Sequence, residues 1–176
     1  MSAPLVRSKR KNKSQTPILG FSLIELLILI VILGILTYVS VVSYTPALNF
    51  RKASAAAKIR SDLQYAQSLA MLTRQTCGLT FSGNTYTVFE NGNTTDPAKD
   101  PVTQQDYTVA MNSGDYAGIT LSANFGGTSV IQFDREGTPT DGNGTSLTSA
   151  ESNRRVTVGG DVYVGVTPTT GRVSLQ

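Results

Sequence analysis

A single carboxylate, Glu25, interrupts the apolar stretch ILGFSLIELLILIVILGIL at residues 18–36. An ionised carboxylate at bilayer depth is unfavourable by about 2.5–3.5 kcal/mol on insertion scales. The residues around Glu25 offer no opposite charge, so the chemistry open to it is an ion pair with a cation from elsewhere. The sequence therefore predicts a pairing role for Glu25 in a segment otherwise suited to lipid.

Other residue types argue against catalysis. The chain has no His and one Cys, Cys77, which excludes the commonest general base and any intrachain disulfide. Asp96, Asp100 and Asp141 offer oxygen ligands for calcium, but their spacing does not fit an EF-hand loop and turn formation explains them more simply. We expect no enzymatic activity, no cofactor and no metal site, and we interpret Cys77 as a small buried side chain.

A basic segment, VRSKRKNKSQTP, precedes the apolar run and contains no acid. Such a flank should stay cytoplasmic, and a helix from Phe21 to Val42 would span roughly 33 Å, about the hydrocarbon core of a bilayer. Three interpretations stay open: a secretory signal peptide, an uncleaved single-pass anchor, or cleavage at Gly20–Phe21 that leaves the helix on the mature chain. The first fits poorly, because the apolar run exceeds the usual length of about 7–15 residues and no A-x-A-like site closes it.

A basic leader ending in Gly20, then Phe21, with Glu25 fifth after the break and an unbroken apolar run behind it, resembles the class III signal of type IV pilins and type II secretion pseudopilins. The resemblance implies that a prepilin peptidase cuts after Gly20 and methylates the amino group of Phe21. It also implies a partner for Glu25, the α-amino group of a neighbouring subunit in a filament. Both charges would then be compensated on assembly.

Cleavage at Gly20 would change the charge of the chain. The full sequence has 15 Lys and Arg against 12 Asp and Glu, and five of the basic residues lie in the leader. The mature chain would keep 10 basic and 12 acidic residues. The high isoelectric point of the full sequence therefore comes largely from the leader, and it does not indicate nucleic-acid binding by the mature chain.

Helical patterning continues beyond the apolar run. Pro46 should bend the helix or start its second half. Beyond it, side chains spaced by four and three residues form one apolar stripe that needs a covering surface. The stripe comprises Ile59, Leu63, Ala66, Ala70 and Thr73.

From Cys77 onward the sequence alternates short strands with turns. Eight segments rich in β-branched and aromatic residues are separated by Gly- and Asn-rich turns, which predicts an antiparallel head. CGLTFSGNTYTVFE indicates a hairpin turning at Ser82, Gly83 and Asn84, and residues 136–153 should form an exposed loop with little to bury. The other predicted strand segments are DYTVAM, GITLS, VIQF, RRVTV, VYVGV and RVSL.

The sequence of the head indicates a narrower family within these pilin-like proteins. A helix running directly into a hairpin, followed by VIQFDREGTPT and a terminal TPTTGRVSLQ, is similar to the H-type pseudopilin and FimT-like minor pilin family. FimT-like proteins carry a C-terminal Gly-Arg-x-Arg motif that contacts DNA. Here Gly171 and Arg172 match, but Ser174 replaces the second Arg, so we expect only a weak nucleic-acid contact if any.

The resemblance implies a pilin-like α+β fold, with a long N-terminal helix packed on an antiparallel β-sheet head. The predicted divisions are a cleaved leader at 1–20, a transmembrane or filament-core helix half at 21–45, an amphipathic helix half at 46–76 and a β head at 77–176.

The implied function is that of a minor pilin or pseudopilin in a type II secretion pseudopilus that supports protein export. The implied partners are other pilins or pseudopilins, a prepilin peptidase and an inner-membrane assembly platform. The protein would cross the bacterial inner membrane once, with its head in the periplasm, before entering the filament. A minor pilin of a type IV pilus and an uncleaved anchored binding module stay open as alternatives.

Overall fold

The computed structural model describes residues 22–148 and 150–176, without the side chains of residues 39–46. Gly20, Phe21 and the leader at 1–20 lie outside these residues, so cleavage and methylation there stay predictions. The chain divides into two units, one ending at Val42 and the other running from Ser43 to Gln176.

One α-helix, α1, spans Leu23–Thr73. It begins where the Ser22 carbonyl accepts hydrogen bonds from the N–H groups of Glu25 and Leu26, at 3.0 and 3.2 Å. It ends before Arg74, whose left-handed φ of 54° stops the helical pattern in the manner of a C-terminal cap. The helix assignment continues across Pro46, and the predicted division of the helix into halves at that residue stays a prediction.

In the described part of the chain nine short strands follow, because β-branched and aromatic segments alternate with turns. All nine pair in antiparallel fashion, in two sheets with orders β3-β2-β1-β5-β6 and β4-β7-β8-β9. Two 3₁₀ turns lie at Gly114–Tyr116 and Glu151–Asn153. The strands are β1 (Cys77–Ser82), β2 (Thr85–Phe89), β3 (Thr108–Ala110), β4 (Leu121–Phe125), β5 (Val130–Phe133), β6 (Pro139–Asp141), β7 (Arg154–Val158), β8 (Val162–Val166) and β9 (Val173–Leu175).

The head is built around the apolar stripe of α1. Ile59, Leu63, Ala66 and Ala70 are fully buried in the same core as strand residues from both sheets. Thr73 is exposed and its hydroxyl donates to the Leu69 carbonyl at 2.8 Å, so its predicted place in the stripe is wrong. The helix ends at Thr73, and a polar side chain is accommodated there without burial. The predicted α+β class, a helix packed on antiparallel sheets, is confirmed.

The hairpin and the buried thiol are also confirmed. β1 and β2 pair with Ser82 opposite Thr85, which leaves Gly83 and Asn84 as the turn. Gly83 has the positive φ of 57° that such a tight turn requires. Cys77 is fully buried, and burial raises the pKa of its thiol. Its environment is therefore that of a structural cysteine.

The prediction of an exposed loop over residues 136–153 is wrong in part. β6 pairs with β5, with Pro139 opposite Phe133 and Asp141 opposite Ile131. Leu147 is also buried in the core. Pro and Asp are uncommon in strands, and Pro139 is tolerated because it opens an edge strand, so the pattern gave no strand signal.

Candidate assembly surface

An exposed apolar surface covers α1 from Leu23 to Tyr38. Its large side chains are between 47% exposed, at Leu29, and 87% exposed, at Leu23. Extended apolar patches of this kind mark contacts with membranes or other proteins. By length and hydropathy, none of the helices in the described part of the chain qualifies as a membrane span. The surface from residue 23 to residue 38 is therefore a candidate interaction surface, called the apolar segment below.

Glu25 lies in the first turn of α1, at the start of the apolar segment. A carboxylate there is favoured by the partial positive charge of the helix N-terminus, by about 0.3–1 kcal/mol at an exposed site. Its side chain is exposed, and none of the ion pairs in residues 22–148 and 150–176 includes it. The position suits a contact with a cation from another molecule.

Four polar side chains, three of them buried and one, Lys58, 33% exposed, form a cluster between α1 and the first sheet. The carboxylate of Asp62, 2% exposed, accepts hydrogen bonds from the hydroxyls of Tyr86 at 2.6 Å and Tyr107 at 2.9 Å. Lys58 Nζ donates to Asp62 at 2.8 Å and to the Tyr107 hydroxyl at 2.8 Å. We call Lys58, Asp62, Tyr86 and Tyr107 the Asp62 cluster.

The three donors of the Asp62 cluster, Lys58, Tyr86 and Tyr107, stay protonated near neutral pH. Burial, reinforced by the Asp62 carboxylate, raises the pKa of the Tyr86 phenol far above its usual range. Burial also raises the pKa of Tyr107. At Lys58 burial acts to lower the pKa, but the hydrogen bonds to Asp62 and Tyr107 outweigh it and the pKa is raised. All three groups remain donors to Asp62, so the cluster anchors the helix to the sheet.

Sequence reasoning missed the Asp62 cluster. Its one local signal was the spacing of Lys58 and Asp62, four residues apart on a helix, which permits an ion pair. Tyr86 and Tyr107 reach Asp62 only through the pairing of β2 with the strand that follows Tyr107. Their meeting therefore depends on tertiary structure.

Gly171 has a structural role. It is buried, and its φ of 65° lies in the left-handed region. A Cβ at this position would collide with Gln67 Nε2 and lie 2.8 Å from the Gly137 carbonyl oxygen. Gln67 Nε2 itself donates to the carbonyls of Gly137 and Thr170, at 2.9 and 3.0 Å. The turn before β9 is thereby fastened to α1.

Arg172 is exposed beside this turn and borders two open grooves. One groove, of about 390 Å³, lies between β9 and Arg60 of α1. The other, of about 400 Å³, includes Arg154 at the start of β7. The structure thus brings Arg60 and Arg154 near Arg172, although Ser174 replaces the second Arg of the DNA-contact motif. Arg155 instead stacks on Tyr163, with its guanidinium carbon 4.1 Å from the ring centre.

Two of the acidic residues considered as calcium ligands stabilise turns by accepting hydrogen bonds from backbone N–H groups. Asp100 Oδ1 accepts the N–H groups of Val102 and Thr103, at 2.7 and 3.1 Å, and these bonds lower the pKa of its carboxyl. Asp141 Oδ1 accepts the N–H groups of Asn143 and Thr145, at 2.9 and 2.8 Å. Within the described ranges, no group of three His, Cys, Asp or Glu side chains is placed to hold a metal ion.

Comparison with known proteins identifies the family. A family model described as type II transport protein GspH matches residues 55–161, from the buried half of α1 through β7. Neither a curated protein nor a solved structure matches the chain significantly. The match covers more than half of the chain and confirms the resemblance to H-type pseudopilins. This chain belongs to the GspH family of type II transport proteins.

Proposed function

We propose that this protein is a pseudopilin subunit that enters a type II secretion pseudopilus through its N-terminal helix and thereby supports protein export. The observation that carries the proposal is the apolar segment, whose aliphatic side chains are exposed along the helix in a chain of the GspH family. Such a surface is stable only in lipid or against other apolar helices. A subunit that passes from the inner membrane into a filament core meets both environments in turn.

We propose that Glu25 sets the alignment between the N-terminal helices of neighbouring subunits during assembly. Its carboxylate would pair with the N-methylated amino group of Phe21 on a neighbouring subunit, once a prepilin peptidase has cut after Gly20. Buried ion pairs add little net stability, but a buried charge left without its partner costs about 3–5 kcal/mol. A helix docked out of register would carry that cost, so the pair selects one alignment.

The remaining steps follow from the same proposal. The protein spans the inner membrane once with its head in the periplasm, and an inner-membrane assembly platform moves it into the filament beside other pseudopilins. Its role is structural, in keeping with a family of structural subunits. Membership of the GspH family favours a type II pseudopilus over a type IV pilus.

Filament incorporation of Glu25→Gln tests the proposal. The amide keeps the shape of the side chain and removes its charge. Cleavage at Gly20 should continue, whereas recovery of the protein in sheared pseudopili should fall by at least tenfold, because the partner amine is left unpaired. Glu136→Gln, on the exposed surface of the head, removes the same charge and should incorporate normally. Normal incorporation of Glu25→Gln would contradict the register role.

Deletion of the gene distinguishes the two filament systems. Export of folded proteins across the outer membrane should fall, while pilus-dependent twitching and DNA uptake should persist. Loss of twitching or DNA uptake with normal export would assign the subunit to a type IV pilus.

A further inference from the structure

The edge strand β9 presents backbone groups that β8 does not use. Tyr163 and Gln176 exchange both backbone hydrogen bonds, and Thr167 N–H donates to the Arg172 carbonyl. Because hydrogen-bonded and non-hydrogen-bonded pairs alternate in an antiparallel ladder, Val173 and Leu175 occupy non-hydrogen-bonded positions opposite Val166 and Val164. Their N–H and C=O groups therefore point away from β8.

Nothing in the described part of the chain pairs with this outer edge. β9 ends the order β4-β7-β8-β9, and no hydrogen bond of residues 22–148 and 150–176 reaches the N–H groups of Val173 or Leu175. The edge borders the groove that also contains Arg60, Gln64 and Arg172. It is thus an open strand edge with a cleft beside it.

The surroundings of the edge are positively charged. Arg60 and Arg172 line the groove at β9, and Arg172 and Arg154 line the adjoining groove, with no acidic residue in either. The ion pairs in the described residues include none of these three arginines. Arg154 Nη1 donates to the Val166 carbonyl at 3.0 Å, while its buried Nε has no hydrogen-bond partner.

The backbone chemistry distinguishes between two anionic ligands. A nucleic-acid phosphate can accept from the N–H groups of Val173 and Leu175 but cannot donate to their carbonyls. An extended polypeptide satisfies both the donors and the acceptors of a strand edge. Acidic side chains on that polypeptide would meet the arginines, whose guanidinium groups suit carboxylates.

We propose that the outer edge of β9, together with Arg60 and Arg172, binds an extended acidic segment of a partner protein, which adds to the second sheet as a fifth strand. Backbone pairing with Val173 and Leu175 supplies the alignment, and the arginines select acidic over neutral or basic segments. This inference stands independently of the filament role assigned to Glu25.

Binding of a labelled peptide tests the proposal on the full-length protein in detergent. The probe is a capped eight-residue peptide of alternating threonine and glutamate, and its binding is measured by fluorescence anisotropy. A threonine–lysine peptide and a single-stranded oligothymidine serve as comparisons. The threonine–glutamate peptide should bind at least tenfold more tightly than either comparison. Equal or tighter binding of the lysine peptide or of the oligothymidine would overturn the proposal, as would no binding of the acidic peptide.

Two pairs of variants separate charge from backbone pairing. Arg172→Glu should weaken peptide binding at least tenfold, whereas Arg135→Glu, an equal charge change on the exposed surface, should leave it within twofold. Leu175→Pro removes an outward N–H without removing a β8–β9 hydrogen bond, and should weaken binding at least fivefold. Leu175→Ala keeps that N–H and should bind within twofold of the original protein.

Circular dichroism must show that each variant is folded, so that a loss of binding reports the edge itself. Wild-type affinity in folded Arg172→Glu or folded Leu175→Pro would overturn the assignment of this edge.

Discussion

Tyr86 of β2 donates a 2.6 Å hydrogen bond to the carboxylate of Asp62 in α1, which is only 2% exposed. A carboxylate at this depth is tolerated because Tyr107 and Lys58 also donate to it. The contact joins the helix to the sheet that follows it. The Asp62 cluster therefore attaches the part of α1 that lies in the head to the first sheet.

Replacing Asp62 by Ala should lower the free energy of unfolding of the head by about 3–5 kcal/mol, because the two buried phenols lose their acceptor, at roughly 1–3 kcal/mol each. Lys58 contributes less, since its side chain is 33% exposed and can be hydrated. The loss of stability can be measured as chemical labelling of Cys77, because this thiol is fully buried and is the only cysteine of the chain. Its labelling by a thiol reagent in the full-length protein should accelerate roughly 10²-fold or more, in proportion to opening of the head.

Asp106→Ala is the matched control for Asp62→Ala. It removes an equal charge that pairs with Lys99, and both side chains of this pair are 60% exposed. Exposed pairs contribute about 0–1 kcal/mol, so Cys77 labelling should change little. Equal labelling rates in the two variants would contradict the role assigned to the Asp62 cluster.

The head should lose stability in alkali through its buried phenols. Burial raises the pKa of Tyr86 and of Tyr107 above the ordinary value of 10.0. Their contribution is complete below that pH, and it is lost as the pH rises, because the unfolded chain then releases protons that the folded chain retains. Each such phenol removes about 1.4 kcal/mol per pH unit above 10 until its folded pKa is reached.

Tyr86→Phe isolates this alkaline effect. The variant should be less stable at neutral pH, because Asp62 loses a donor, yet its stability should fall less steeply above pH 10. Thermal unfolding followed by circular dichroism at several pH values measures both changes. An unchanged alkaline slope would contradict the assignment to Tyr86.

Gly171→Ala should destabilise the head by more than the conformational cost of a positive φ alone, which is about 1 kcal/mol. The added methyl group would meet Gln67 and the Gly137 carbonyl oxygen. Gly83→Ala is the control, since Gly83 has a similar φ of 57° and no neighbouring atom within 4 Å of a Cβ. Comparable midpoints of thermal unfolding in the two variants would rule out a close-packing role for Gly171.

Much of the fold could be predicted from the sequence because its signals are local. Alternating β-branched segments located eight of the strands, and the spacing of Ile59, Leu63, Ala66 and Ala70 located the buried face of α1. β6 was missed because Pro139 and Asp141 carry no strand preference and pair only because β5 lies beside them. Sequence alone also gave no sign that the head forms two sheets.

The same difference between local and long-range signals applies to the candidate sites. Glu25 could be identified because an isolated carboxylate in an apolar run is a local anomaly. The Asp62 cluster and the grouping of Arg60 with Arg154 and Arg172 could not, because each depends on segments that are far apart in the chain and meet only in the folded head.

The mature N-terminus of the protein tests the filament account most directly. Intact mass and N-terminal analysis of protein from membranes and from sheared surface filaments should give a chain that begins at N-methylated Phe21. Replacement of Gly20 should abolish that product, whereas Gly34→Ala, at a helix position with no atom within 4 Å of a Cβ, should leave it unchanged. A chain that begins at Met1, or one cut after the apolar run, would contradict the account.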